Sequence, residues 1–404
     1  MNMLDQWVEL IQPFGFSERF VRWSFLTSIS SLLENRCYLM DHGGGYLYPT
    51  LYTLLVGAPA TFKTTTCDRV VEDLLRPLMT GTEVPFMGPN IASPAGLIRA
   101  FVRHNKKNIA NDFKSSPMFI YAPEWQQFYA DIGGGELIRD LLSFFDPKPP
   151  GVALTKEIVK EASQFEIVSP ALTILGCATQ KAIMDTKMMI HASNGIVSRF
   201  LFVHETIRPR GCRQLVDIKT STVLKELQVR CQVLRALRGP FTLTKEASNR
   251  LSDLMSLNAE WFAQNQSETL FSQYMARRMT HLKKISMLLS VCEGTSQEIT
   301  LAHITQADLM LRDIEPNMTK AFGMTAIKGD PHLLAKILDK ITPMGVTEQT
   351  ILQRFIADGQ AVPADHEYSG AVDGLYRAGL IRVEKKKDGT IIYKRRDENE
   401  NERT

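Results

Sequence analysis

The feature that most narrows the possible folds is the junction at residues 51–75. Leu51-Tyr52-Thr53-Leu54-Leu55-Val56 stops at Gly57-Ala58-Pro59, and Thr64 to Leu75 then reads as a helix closed by Pro77. A continuous β-rich, largely apolar run ended by Gly and Pro is the pattern of a buried parallel strand. The intervening Gly57-Ala58-Pro59-Ala60-Thr61-Phe62-Lys63-Thr64 follows the phosphate-binding pattern G-x-x-x-x-G-K-[ST] at Gly57, Lys63 and Thr64. It departs at Phe62, where glycine is expected. In such a loop, successive backbone N–H groups and a helix N-terminus cradle phosphate oxygens, the lysine reaches the β- and γ-phosphates, and the hydroxyl ligates Mg²⁺. Gly57 to Thr64, with Thr65 following on the helix, is therefore the candidate cradle for ATP and Mg²⁺. A phenylalanine cannot take a positive φ cheaply, which predicts a non-standard backbone path at Phe62.

Three more buried strands are expected, at Met118-Phe119-Ile120-Tyr121, Ala171 to Gly176, and Phe200-Leu201-Phe202-Val203. Helical stretches separate several of them, so residues 46–205 read as an α/β domain on a mostly parallel sheet. Residues 1–45 read as a mostly helical segment broken near Pro13 and Gly15. Residues 206–328 begin with a basic link (Arg208, Arg210, Arg213), and 217–325 read as helical almost throughout.

Gly329-Asp330-Pro331 opens a last unit, 329–396, before an acidic tail at 397–404 that reads as disordered. Helices are predicted at 331–342, at 347–357 with Thr347 as N-cap, and at about 367–378. The Asp388-Gly389 pair between two strand-like runs is a hairpin signal. Three helices and a hairpin describe a winged helix. Its segment 380–396 carries seven Lys/Arg against two acids, a net of +5, while the whole chain of 404 residues is only +3. Lys385, Lys386 and Lys387 at the turn and Lys394, Arg395 and Arg396 on the returning strand form an electrostatic footprint for duplex DNA phosphates. Contact with a partner protein, leaving the wing solvated, is the alternative.

Other polar residues fall at strand ends. Glu124 follows the Met118 strand where nucleotide hydrolases place a water-polarising acid beside a Mg²⁺ ligand, and Pro123 replaces the first acid of that pair. Glu124 is the candidate base and metal ligand; a surface glutamate after a core strand is the plain alternative. Thr179 and Gln180 end the third strand, where either could sense a γ-phosphate or Thr179 could cap a helix. Arg199, between apolar residues at a strand entrance, is costly to bury unpaired. A phosphate on a neighbouring subunit would partner it as an arginine finger, and an internal salt bridge would serve equally.

Composition excludes other classes. Hydrophobic residues make up 44% and charged residues 23%, which is ordinary for a globular chain. No run of eighteen apolar residues occurs, so no membrane span is expected. The N-terminus lacks the pattern of a secretory signal, and six cysteines in no CxxC pair point to a reducing compartment, the cytoplasm. His191, His204, His281 and His303 lack metal-ligand spacing, and no GxSxG elbow is present.

Four stretches together carry a resemblance: Tyr46 to Lys63, the strand ending at Glu124, Ser169 to Gly176, and Gly195 to Phe202. Over roughly residues 20–325 the chain resembles a family of phage and prophage P-loop proteins often described as replicative helicases. It is more distantly similar to minichromosome-maintenance helicases of the AAA+ class. The resemblance implies an α/β P-loop NTPase core, AAA+-like, with a helical lid and a C-terminal winged helix. It implies that Ser198-Arg199-Phe200 supplies the finger, and that Arg277 or Arg278 on a lid helix is a second phosphate-sensing arginine. It also implies a hexameric ring, with a hairpin before the Ala171 strand projecting Lys156 and Lys160 into a pore that holds single-stranded DNA. Function would then be ATP-driven DNA translocation and unwinding for a phage or mobile element, with primase, polymerase or single-strand-binding protein as partners. An ATP-switched initiator or helicase loader with little hydrolysis is the alternative.

Overall fold

In the computed structural model, the run beginning at Leu51 forms β3 (Tyr52–Gly57), every residue of which is buried. Its neighbours are as apolar as it is. The sheet holds β4 (Phe86–Met87), β5 (Ser116–Ala122), β8 (Pro170–Ala178), β3 and β9 (Phe200–Glu205), in that spatial order, with every pairing parallel. Residues described are 2–41, 44–78, 86–87, 96–102, 116–131, 135–145, 153–158, 163–185, 195–206, 218–265, 270–321, 331–377, 380–386 and 389–395. The parallel sheet makes the chain mixed α/β. Its carboxyl edge collects the ends of β5, β8, β3 and β9, the edge at which open parallel sheets bind ligands.

The N-terminal segment is part of this core and not a separate unit. Helix α1 (Met3–Ile11) and helix α2 (Glu18–Leu33) are broken apart by a 3₁₀ turn at Gln12–Phe14 and by Gly15 at φ 68°, as Pro13 and Gly15 suggest. Thirteen of the sixteen residues of α2 are buried, so it is a sheet-covering helix with little amphipathic pattern. Its hydroxyls satisfy themselves inside the core: Thr27 Oγ1 donates to the Trp23 carbonyl at 2.7 Å and lies 2.7 Å from Thr53 Oγ1 on β3.

The region read as helical almost throughout also contains strands. After β1 (Cys37–Met40) and β2 (Tyr46–Leu47), helix α8 (Thr222–Ala236) leads to β10 (Gly239–Leu243), which pairs parallel with β1 and with β11 (Glu298–Ile299). Backbone pairing to a distant partner decides these short strands, and Gly239-Pro240 gives no strand signal of its own. Helices α9 (Lys245–Gln264), α10 (Leu270–Glu293) and α11 (Leu301–Ala321) complete one apolar core running from Met3 to Ala321.

A second apolar core spans Leu334 to Tyr393. It is built from α12 (Pro331–Lys340), β12 (Val346–Thr347), α13 (Glu348–Ala357), α14 (Asp365–Arg377), β13 (Ile381–Lys385) and β14 (Ile391–Arg395). The strands form an antiparallel sheet in the order β12, β14, β13. Thr347 caps α13, accepting from the Thr350 N–H at 3.3 Å. Between β5 and β8, β6 (Ala153–Ile158) and β7 (Ser163–Val168) pair as an antiparallel hairpin, at the place where the resemblance implies one. Among the described residues, no helix is long and apolar enough to cross a membrane.

Candidate functional site

The loop after β3 adopts an alternating backbone. Ala60 has φ 63° and Phe62 φ 58°, bracketing Thr61, and helix α3 (Lys63–Asp68) begins at the next residue. Such alternation turns backbone N–H groups into an anion-holding concavity. The expected detour around Phe62 does not occur. The phenylalanine takes the left-handed conformation that a glycine would adopt, and its ring stacks on Phe16 at 5.8 Å between centroids. Gly57 is required by space: a Cβ there would lie 2.7 Å from Thr61 Oγ1 and 3.0 Å from the Glu205 carbonyl.

Side chains close the loop on itself. Thr61 Oγ1 donates to the Ala58 carbonyl at 2.9 Å, and Lys63 Nζ donates to the same carbonyl at 3.3 Å. Burial lowers the Lys63 pKa from the ordinary lysine value, an effect that an adjacent phosphate would oppose. Thr64 is half-buried and Thr65 exposed at the start of the helix, which continues as a π-helical turn over Arg69–Leu75. From the neighbouring strand, Tyr121 OH donates to Asp68 Oδ1 at 2.7 Å and so ties β5 to α3.

Glu124 is exposed at the carboxyl edge, two residues beyond β5. Its carbonyl accepts the Phe128 N–H that opens α5 (Trp125–Asp131). The fully buried Trp125 fixes that turn, and a Cβ on Gly176 of β8 would come within 3.2 Å of its ring. Since β8 lies between β3 and β5, the phosphate-type loop, Thr179 and Glu124 fall on three adjacent strand ends. Thr179 Oγ1 accepts the Ala182 N–H at 3.0 Å, the cap anticipated for it. Gln180 turns away from the loop: its amide donates to His204 Nε2 at 3.0 Å and to the Lys320 carbonyl of α11.

Arg199 lies at the opposite edge. It precedes Phe200, which pairs with Tyr52 at the entrance of β3, whereas Gly57 pairs with Glu205 at the exit. Five strand residues separate the two registers, roughly 17 Å at 3.3 Å per residue, which exceeds the reach of an arginine side chain. Arg199 Nη1 donates to the Gly195 carbonyl at 2.9 Å, and His281 Nε2 donates to the Ser198 carbonyl at 2.9 Å, pinning this turn to α10. The Arg199 guanidinium lies 5.9 Å from the centroid of Phe145, at the end of α6 (Gly135–Phe145). Arg277 lies 5.9 Å and Lys284 Nζ 3.8 Å from the same ring. The two candidate arginines Arg199 and Arg277 are thus brought together from distant sequence.

Arg278 is not part of that group. It is buried between α10 and α11, pairing with Asp308 at 2.8 Å and with Glu315 at 2.6 Å, and Tyr274 OH also donates to Glu315. An internal network satisfies it, which corrects its assignment as a phosphate sensor. In the last unit Lys385 and Lys386 are exposed, and Lys394 pairs with Glu384 at 2.7 Å. Arg395 is half-buried. Lys160, Lys387 and Arg396 lie outside the described residues, as does the side chain of Lys156.

Sequence reasoning missed the residues that flank the loop. Ser17, at the N-cap of α2, and Arg19, in its first turn, meet Glu205: Ser17 Oγ donates to its Oε2 at 3.0 Å, and Arg19 Nη1 lies 3.6 Å away. Arg19 also makes a bidentate pair with Asp313 of α11, at 2.7 and 2.8 Å. The missed signal was the run Phe200 to Glu205, apolar into an acid like the run ending at Glu124. Compared with protein-family models and with curated proteins, the chain matches none.

Proposed function

We propose that the protein is a P-loop ATPase, AAA+-like, that works on DNA as a ring. One observation carries the nucleotide reading. At the exit of a fully buried parallel strand, the loop Gly57 to Thr64 has alternating backbone hand and runs directly into a helix at Lys63. A strained left-handed phenylalanine persists there, as strain does where a site requires a shape. The backbone N–H groups and Lys63 bind the phosphates. Glu124, exposed on the same sheet edge, orients and deprotonates the attacking water. Thr64 and Glu124 offer one hydroxyl and one carboxylate. That is a sufficient protein share for Mg²⁺, which takes its other ligands from phosphate and water. When bound, the ion neutralises charge on the β- and γ-phosphates.

The distance of Arg199 from its own loop supports action in trans. An arginine at the amino edge, grouped with Arg277 and Lys284, serves a phosphate held at the carboxyl edge of the next copy. That arrangement makes oligomerisation part of the mechanism. The order α12, β12, α13, α14, β13, β14 supports a winged helix, with Lys385 and Lys386 at the wing. The β6–β7 hairpin supplies the pore element, and the host cytoplasm is the compartment of such a machine.

The test is the steady-state ATPase rate with and without single-stranded DNA. A motor is stimulated at least tenfold, and stimulation disappears in Arg199→Ala. Tight ATP binding with slow turnover that DNA leaves unchanged would favour the switch-type initiator or loader, the reading that Pro123 in place of a second carboxylate favours.

A further inference from the structure

Two thiols meet between helix α3 and strand β8. Cys67 lies on α3, one turn after the Lys63 that opens it, and Cys177 is the last residue but one of β8. Their sulfurs are 3.5 Å apart, and both side chains are buried. We propose that this pair is a site of oxidation by peroxide to a disulfide, and that closing the bond weakens phosphate binding at the Gly57–Thr64 loop. The bond stands on the placement of the thiols alone, and its effect on a ligand rests on the phosphate-loop reading.

Little movement is needed to close it. A disulfide holds its sulfurs about 2.05 Å apart, so the pair must approach by roughly 1.5 Å. Strand β8 is fixed, because it is paired with β3 on one side and β5 on the other, with Cys177 opposite Leu55. Helix α3 is the element that yields. It has six residues, follows Phe62 at φ 58°, and passes into the π-helical turn Arg69–Leu75. Tyr121 OH holds Asp68 Oδ1 at the far end of α3, so drawing Cys67 inward tilts the first turn of the helix. That turn carries Lys63 and Thr64. A tilt of about 1.5 Å takes an ordinary phosphate contact beyond hydrogen-bond range.

The two sulfurs have different surroundings, which assigns their roles. Burial holds Cys67 protonated, and its contact with Cys177 and the charge of Asp68 add to that. Cys177 instead lies within electrostatic reach of Lys63, where its sulfur opposes the lowering of the lysine pKa by burial. The thiolate is the reactive form of a cysteine, and the thiol that faces a cation is the one to attack. The Cys177 sulfur attacks one oxygen of hydrogen peroxide, the O–O bond breaks, and the departing hydroxide takes up the thiol proton as water. The product is a sulfenic acid. The Cys67 sulfur then attacks the sulfenic sulfur, the S–O bond breaks, and the Cys67 proton leaves with that hydroxyl as a second water. Two thiols and one peroxide thus give one disulfide and two waters. Disulfides in a reducing compartment are characteristically transient and redox-sensing.

The experiment treats the full chain with hydrogen peroxide, blocks remaining thiols with iodoacetamide, and maps linked peptides by mass spectrometry without reductant. ADP affinity is measured by calorimetry before and after. Wild type is expected to yield a Cys67–Cys177 link that dithiothreitol cleaves. Its ADP affinity is expected to fall about tenfold on oxidation, the weight of roughly one charge-assisted hydrogen bond, and to return on reduction. Cys177→Ala is expected to bind ADP as reduced wild type does and to lose the peroxide response. In Cys67→Ala the reaction should stop at the sulfenic acid, which dimedone labels at Cys177. Absence of the link in peroxide-treated wild type, or a link that leaves ADP affinity unchanged, overturns the proposal. If an alanine variant unfolds, the wild-type map and affinities decide by the same criteria. Failure of reduced wild type to bind ADP would instead overturn the phosphate-loop reading, and the mapped link would still test the pair.

Discussion

The ring of Phe62 stacks on that of Phe16 at 5.8 Å, and through this contact the α1–α2 turn holds a left-handed phenylalanine immediately before Lys63. The stack offsets a backbone cost of about 1–2 kcal/mol. Phe62→Ala keeps that cost and loses the stack, so it is expected to destabilise by about 1 kcal/mol. Phe62→Gly relieves the strain and is expected to fall within about 0.5 kcal/mol of wild type. In urea unfolding, Phe16→Ala should lose its effect in the Phe62→Gly background. Equal stability of the alanine and glycine variants would show that the left-handed backbone carries no strain.

Lys63→Ala is expected to lower ATP affinity on the order of 100-fold, about 3 kcal/mol for a lost charge-assisted contact. Its fold should persist, because Lys63 is half-exposed and its hydrogen bond goes to the Ala58 carbonyl within the same loop. Glu124→Gln is expected to keep ATP binding and slow hydrolysis by roughly 100-fold or more. Nucleotide titration and phosphate release separate the two, and full turnover in Glu124→Gln would move the base to another residue.

Arg199→Ala and Lys63→Ala proteins should each be inactive alone and regain part of the ATPase when mixed. Mixed assemblies contain interfaces with Lys63 intact on one side and Arg199 on the other. The roughly 17 Å between the sheet edges is the physical reason. No recovery after demonstrated subunit exchange would assign Arg199 to its contacts with Gly195 and Phe145.

His204 gives the site a pH dependence. Burial chiefly lowers its pKa, with Lys320 and Arg19 adding to the effect and Glu205 opposing it. The folded protein therefore binds this proton less readily than the unfolded chain. The neutral ring costs nothing above the ordinary histidine value of 6.5, and stability is lost as pH falls below it. Thermal unfolding between about pH 7.5 and 5 should show this loss, and His204→Gln should reduce its slope. A parallel slope in the variant would place the titrating group elsewhere.

Replacing Lys385, Lys386 and Lys387 together by alanine should weaken duplex DNA binding and flatten its salt dependence by about one unit of slope per lost phosphate contact. Lys394 is already paired with Glu384 and is expected to contribute less. An unchanged slope would assign the last unit to protein contact.

Much of the architecture was legible because it depends on local pattern. Val56-Gly57 and Lys63-Thr64 mark a strand, a loop and a helix start by residue type alone, and Thr347 and Gly389 mark a cap and a turn in the same way. The strands β10 and β11 were not legible, because a two- to five-residue strand exists only through its partner's hydrogen bonds. Arg277 and Arg278 are indistinguishable in sequence, yet one helical step rotates them about 100° apart. One therefore faces Phe145 and the other Asp308 and Glu315.

By itself the amino-acid sequence determined the four long buried strands of the parallel sheet, the Gly57–Thr64 loop that joins one of them to a helix, and a basic hairpin at the end of the last unit. Only the tertiary structure decided that Phe62 keeps the left-handed backbone, since a ring from another segment offsets the cost. It alone decided that Arg199 stands across the sheet from Lys63 and that Glu205 lies beside Gly57. Those relations follow from strand order and register, which depend on contacts between residues roughly 150 positions apart and leave no local mark in the chain.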